Sequence, residues 1–170
     1  MLIKKELVDS FDGFCTDIFI GQDLIFEIEL ISLAKSLYMY NNRFYHYYMN
    51  PNSTTISPKL KERNVKNLLL LNQKISNVLK KYDLLTNERK EYLALTCFYK
   101  IYTQLLSGIR YIKNSSIIEM LIESEELKNI IDTINYDNLS KFAKGFVYLI
   151  KNKRRKTLYY YCLICSFLKK

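Results

Sequence analysis

The residues with the clearest chemical potential stand at Gly21-Gln22-Asp23, where a carboxylate two residues after a glycine opens a helical pattern. Such a carboxylate has two uses. It can accept the unpaired N–H groups of a first helical turn as an N-cap, or it can take a proton from a bound hydroxyl as a general base. The chain has a single histidine, His46, and four cysteines, Cys15, Cys97, Cys162 and Cys165. Cys162-x-x-Cys165 has no second Cys pair and no nearby His, so two small apolar residues on a helix describe it better than a metal or redox centre. Lys151, Lys153, Arg154, Arg155 and Lys156 fall within six residues, beside the aromatic-aliphatic run Leu158 to Cys165. This arrangement suits either a solvated basic tail on a helix that packs on its own domain or an anionic membrane surface, where each cation adds about 1 kcal/mol of attraction. Nucleic acid is the weaker alternative, because the rest of the chain is neutral and carries no recognisable binding motif.

The elements that must position these residues are mostly helical. Gly is 4 and Pro is 2 in 170 residues, too few turn formers for an all-β sandwich or barrel. Hydrophobic residues are 49% and charged residues 25%, the balance of a globular chain. The formal charge is +9, and it is local. Residues 1–140 carry 17 residues of each sign, whereas residues 141–170 carry 9 cations and no carboxylate. No stretch approaches the ~20 apolar residues of a membrane span. Residues 1–6 hold no apolar core of signal-peptide length. Cysteines this sparse predict a reducing cytoplasm.

Two parts follow along the chain. In residues 1–57 a helix is expected over Leu24 to Ser36, with Asp23 as its N-cap and Leu24, Ile28, Ile31 and Leu33 or Ala34 as its buried stripe. Leu37 to Tyr40 and Arg43 to Tyr48, on either side of Asn41-Asn42, predict a β-hairpin, followed by a polar loop from Met49 to Ser57. Residues 58–170 are expected to be helical. A helix capped by Ser57 starts at Pro58 and runs to about Lys81. A second follows Thr86 and stops at Gly108, burying Tyr92, Leu95, Tyr99, Tyr102 and Leu106. Helices near 115–123, 125–134, 138–150 and 154–168 complete the chain.

The first part resembles the end of the catalytic domain in family 2 glycosyltransferases of the GT-A fold. The resemblance rests on Leu2-Ile3-Lys4-Lys5-Glu6-Leu7, on Phe14-Cys15-Thr16-Asp17-Ile18, and on Gly21-Gln22-Asp23 with Phe26 three residues on. Ala34-Lys35, Tyr45-His46-Tyr47 and Asn50-Pro51-Asn52-Ser53 then follow in the family's order and spacing. About a third of the chain is covered. The resemblance implies a mainly α chain: a short α/β remnant of a GT-A domain, one helix plus a hairpin, followed by a helical C-terminal bundle. It implies that Asp23 is the catalytic base of an inverting transfer from a nucleotide-sugar to a glycan acceptor of the cell-surface polysaccharide type. It sets Gln22, His46, Asn52 and Ser53 on the acceptor side, with His46 a strand residue rather than a catalytic one. Gln22 replaces the family's Glu, and Tyr48 stands where many members have Arg.

The family's donor-binding half, with its metal-holding Asp-x-Asp, has no counterpart before residue 21. The expectation is a C-terminal fragment or half of a split enzyme that binds no cofactor itself. Mg²⁺ or Mn²⁺ would belong to the complete enzyme through the missing half, a possible separate partner. The expected location is cytoplasmic, peripheral on the inner membrane face. The competing reading is a non-enzymatic helical adaptor that binds a membrane surface or a partner protein through its basic C-terminus.

Overall fold

The structure, a computed structural model, describes residues 3–10, 15–38, 62–111 and 116–168. Within these, all regular structure is helical. The elements are α1 (Lys5–Val8), α2 (Gln22–Leu33), α3 (Glu62–Lys81), α4 (Asn87–Gly108), α5 (Ser116–Glu123), α6 (Glu125–Thr133), α7 (Lys141–Lys151) and α8 (Arg155–Leu168). Single 3₁₀ turns at Ile109–Tyr111 and Tyr136–Asn138 lie between them. The chain is therefore mainly α. The expected hairpin falls largely on residues 39–48, and the start of the helix expected from Pro58 on residues 58–61. Both lie outside the described residues.

Local chemistry sets the helix ends. The hydroxyls of Thr86, Ser124 and Ser140 accept the backbone N–H of Arg89 (3.3 Å), Leu127 (3.1 Å) and Ala143 (3.2 Å), starting α4, α6 and α7. Each satisfies a first-turn donor that has no intrahelical partner. The ends of α3 and α7 share another device. Asp83 (φ 54°) and Lys153 (φ 51°) turn left-handed. The next N–H reaches back five residues in each case, Leu84 to the Leu79 carbonyl at 2.8 Å and Arg154 to the Leu149 carbonyl at 3.0 Å. These are Schellman stops at positions glycine usually takes. With no glycine there, nothing in the sequence marked them.

The packing separates into two apolar clusters that share α3. The larger contains Val65, Leu68 and Leu69 of α3 and the inner faces of α4 to α8. At its centre Phe98 stacks on Tyr102 while Phe146 meets both rings at a steep angle, with ring centroids 5.1–6.1 Å apart. The smaller contains Leu71 and Ile75 of α3 with Ile18 and Ile25, so it seats α2 and the segment before it on the opposite side of α3. Burying a large aliphatic side chain contributes about 1.5–3 kcal/mol, which makes these few residues sufficient to dock a short helix.

Several expectations are corrected here. Gly21, not Asp23, is the N-cap residue of α2, and Asp23 lies inside its first turn. The buried residues of α2 are Ile25 and Leu30, while Leu24 and Ile31 are exposed. Ile28 of the expected stripe does pack, half-buried, against the smaller cluster beside Ile25. On α4 the buried face is Ala94, Cys97, Phe98, Ile101, Tyr102, Leu105 and Leu106. Tyr92 is exposed, whereas Leu95 and Tyr99 sit at the margin of the core. Helix α4 does end at Gly108, and the chain runs straight on into the turn Ile109–Tyr111 with Ile109 fully buried. Helix α7 begins at Lys141, after the Ser140 cap, rather than at 138.

Candidate functional site

The segment that presents Asp23 is built on one buried polar side chain. Asn67, on α3, is 5% exposed and the only polar residue in the buried set of the described residues. Its Oδ1 accepts the N–H of Phe19 (2.9 Å) and of Ile20 (3.4 Å), and its Nδ2 donates to the Ile20 carbonyl (2.9 Å). A side-chain amide thus does for this irregular backbone what a neighbouring strand would do, satisfying both donors and an acceptor. The Arg63 guanidinium covers the Phe19 ring at 4.5 Å from its centroid.

Gly21 follows, at φ 91°. That conformation strains any other residue, and an added Cβ would stand 2.8 Å from Leu71 Cδ2, so the Leu71 side chain would also have to shift. The turn delivers the chain into α2. Gln22 points its amide back, donating to the Ile18 carbonyl. Asp23 is exposed, and its Oδ1 accepts the N–H of Leu24 at 2.9 Å. No described cation pairs with it. A carboxylate in the first turn is favoured by the helix dipole, and this one remains open to solvent.

Ion pairs brace the surroundings. Lys74 holds Asp17 at 2.6 Å, and Lys81 holds Glu29 at 2.7 Å, with the Tyr82 hydroxyl 3.2 Å from the same carboxylate oxygen. The hydrogen bond from Lys74 lowers the Asp17 carboxyl below its ordinary value. Of the acceptor-side residues, the structure describes Gln22 alone. His46, Asn52 and Ser53 lie outside the described residues. Among the described residues no group of three or more His, Cys, Asp or Glu side chains is placed to hold a metal ion.

The basic cluster is less open than its sequence suggests. Lys151 reaches Asp132 at 2.6 Å, Lys153 reaches Glu123 at 3.7 Å, and Arg155 spans Glu123 (2.9 Å) and Glu119 (3.5 Å). These contacts tie the α7–α8 turn to α5 and α6. Arg154 and Lys156 are exposed and have no carboxylate partner among the described residues. The cysteines of Cys162-x-x-Cys165 are both free and buried. With Leu158 they form the inner face of α8.

Two contributors escaped the sequence reading. Asn67 directly precedes the apolar run Leu68 to Leu71, at a position that helical spacing puts on the buried side, and this is the signal that could have found it. Arg110 lies beyond the end of α4, yet its guanidinium donates to the Ser166 carbonyl and to Ser166 Oγ (3.0 Å) and lies 4.0 Å over the Phe167 ring. That contact joins residues 56 apart in sequence, and no local pattern announces it.

No family model, no curated protein and no solved structure matches the chain. Among the described residues no helix is long and apolar enough to cross a membrane.

Proposed function

We propose that residues 1–57 are the closing part of the catalytic domain of a family 2 glycosyltransferase and that Asp23 is its general base. The observation that supports this is the state of Asp23. It is exposed, lacks a cation partner among the described residues, and follows a turn that Asn67 pins through three hydrogen bonds and that Gly21 permits at φ 91°. A base must be held still and must reach solvent-side substrate. In the reaction, an acceptor hydroxyl oxygen attacks the anomeric carbon of a nucleotide-sugar. The bond to the diphosphate oxygen breaks, the diphosphate leaves with that electron pair, and Asp23 takes the hydroxyl proton. A single in-line displacement inverts the anomeric centre.

The donor sugar, its diphosphate and the Mg²⁺ or Mn²⁺ on that diphosphate belong to an α/β half outside these 170 residues. The chain by itself then turns over no nucleotide-sugar. The test combines the chain with a donor-binding half and compares Asp23→Asn with the parent. Transfer should fall by at least about a hundredfold, the scale of a lost general base, with the helical circular dichroism unchanged. Full transfer by the variant would sink the assignment.

A second reading concerns place rather than chemistry. The basic C-terminal part holds the chain peripherally on the inner, cytoplasmic face of a membrane. It is favoured by Arg154 and Lys156, which have no described carboxylate partner. A helical adaptor without catalysis would use the same end of the molecule. It differs in tolerating Asp23→Asn in every assay.

A further inference from the structure

Helix α8 has two faces of different character. Leu158, Cys162 and Cys165 point into the core. Tyr160, Ile164, Phe167 and Leu168 point outward and are 58–65% exposed. Their spacing of three and four residues sets them in one row along the helix. Lys156 is exposed one turn before Tyr160, at the start of the same row. At the other end the Arg110 guanidinium lies over Phe167, and the sequence continues with Lys169 and Lys170. From Lys156 to Leu168 the row is about 18 Å long at the helical rise. Beside it, Leu168 and Phe142 of α7 line a shared groove of about 220 Å³ with Tyr102 and Cys165, so the apolar surface continues onto α7. Phe142 is itself 52% exposed.

We infer that this row, and not the ion-paired Lys151, Lys153 and Arg155, is the membrane-contacting surface, and that its partner is an anionic lipid bilayer. The inference rests on the membrane-surface reading above and is independent of the role of Asp23. Charge decides the occupant. Residues 141–168 contain no carboxylate side chain, and cations stand at both ends of the row. Lys151, Lys153 and Arg155 are already matched by Asp132, Glu123 and Glu119. Their attraction for lipid phosphate is therefore partly cancelled. Lying in the interface, the helix would bury Ile164, Phe167 and Leu168 at the acyl boundary and leave the Tyr160 hydroxyl among headgroups. Lys156 and Arg110 would meet lipid phosphates.

The chain has no tryptophan, so Tyr160→Trp is a single fluorescent reporter on the row. Deleting α8 is not a usable test, because Leu158 and Cys162 are fully buried in the core. With vesicles of phosphatidylcholine containing phosphatidylglycerol, the reporter's emission should shift to the blue and the protein should sediment with the lipid. Adding Ile164→Glu and Phe167→Glu should weaken sedimentation more than about tenfold. Both sites are exposed, and circular dichroism checks the fold. If the parent sediments with anionic vesicles and the double variant sediments equally, the row is wrong and the membrane reading survives. If the parent ignores anionic vesicles, or binds pure phosphatidylcholine equally well, the lipid assignment falls. An acidic protein partner would then be the occupant.

Discussion

Asn67 holds Ile20 from both sides, its Oδ1 accepting the Ile20 N–H and its Nδ2 donating to the Ile20 carbonyl. One residue on α3 thereby sets the direction in which the chain enters Gly21 and α2, 47 residues earlier in sequence. The Asp23 carboxylate owes its placement to a side chain in the other part of the molecule.

Replacing this amide should cost stability beyond its size. Asn67→Leu keeps the branched shape in a somewhat larger side chain but leaves the Phe19 and Ile20 N–H groups and the Ile20 carbonyl without their partner. Unpaired buried polar groups cost about 1–3 kcal/mol each, and the segment can recover some of this from water. A loss of about 2 kcal/mol or more is expected in urea unfolding. A loss below about 0.5 kcal/mol would show that water takes over the amide's role.

The stop of α3 offers the opposite change. Asp83 is left-handed at φ 54°, and its backbone N–H donates to the Lys80 carbonyl at 3.1 Å. Glycine adopts this conformation without the steric cost that other residues meet. Asp83→Gly should raise stability by about 0.5–1 kcal/mol, the gain being reduced by the freer unfolded chain. Thermal unfolding checks the sign, and a lowered midpoint would mean that the Asp83 side chain contributes something beyond the turn.

Acid should loosen the junction of α5 with the α7–α8 turn. The hydrogen bond from Arg155, aided by Lys153, lowers the Glu123 carboxyl from 4.5. A group whose folded value is depressed adds stability that is fully present above its unfolded value. That stability is lost as pH falls through the folded value. The contribution is thus intact at neutral pH and disappears below about 4.5. Glu123→Gln should flatten this part of the pH dependence of the melting temperature. High salt should do the same, because the pair is exposed. An unchanged slope in the variant would assign the acid response to other carboxylates, Asp17 first among them.

The thiols should divide by burial. Desolvation pushes Cys97 and Cys162 up to about 12, and little thiolate then exists near neutrality. Cys165 is also buried, while Cys15 is partly exposed. A disulfide reagent near pH 8 should label one thiol quickly in the native chain and all four after denaturation. Cys15→Ser should remove the fast reaction. Rapid labelling of the Cys162-x-x-Cys165 pair would instead mean that α8 leaves the core readily.

Much of this was legible in the residues alone. Scarce Gly and Pro, with apolar residues at helical spacing, announced a helical chain. Thr86 marked the start of α4, and the run from 154 to 168 marked α8. These features are local, because capping and amphipathic spacing act within one or two turns. The acceptable backbone conformation of Gly21 is also a property of its residue type, visible wherever the turn lies.

Tertiary packing decided the rest. Whether Asp23 caps its helix or lies inside the first turn depended on Asn67 and Leu71, which meet the Gly21 turn only after α3 docks. Of the stripe expected on α2, Ile28 packs beside Ile25 while Leu24 and Ile31 stay exposed, a choice made by where α3 docks. The excess of nine positive charges read as a free basic end, because counting along the chain cannot show that Asp132, Glu123 and Glu119 lie across from Lys151, Lys153 and Arg155. Coulomb attraction acts through space, and the fold alone sets those distances. Sequence determined what each helix could bury and which side chains carried charge; packing determined which faces stayed exposed and which charges were already matched.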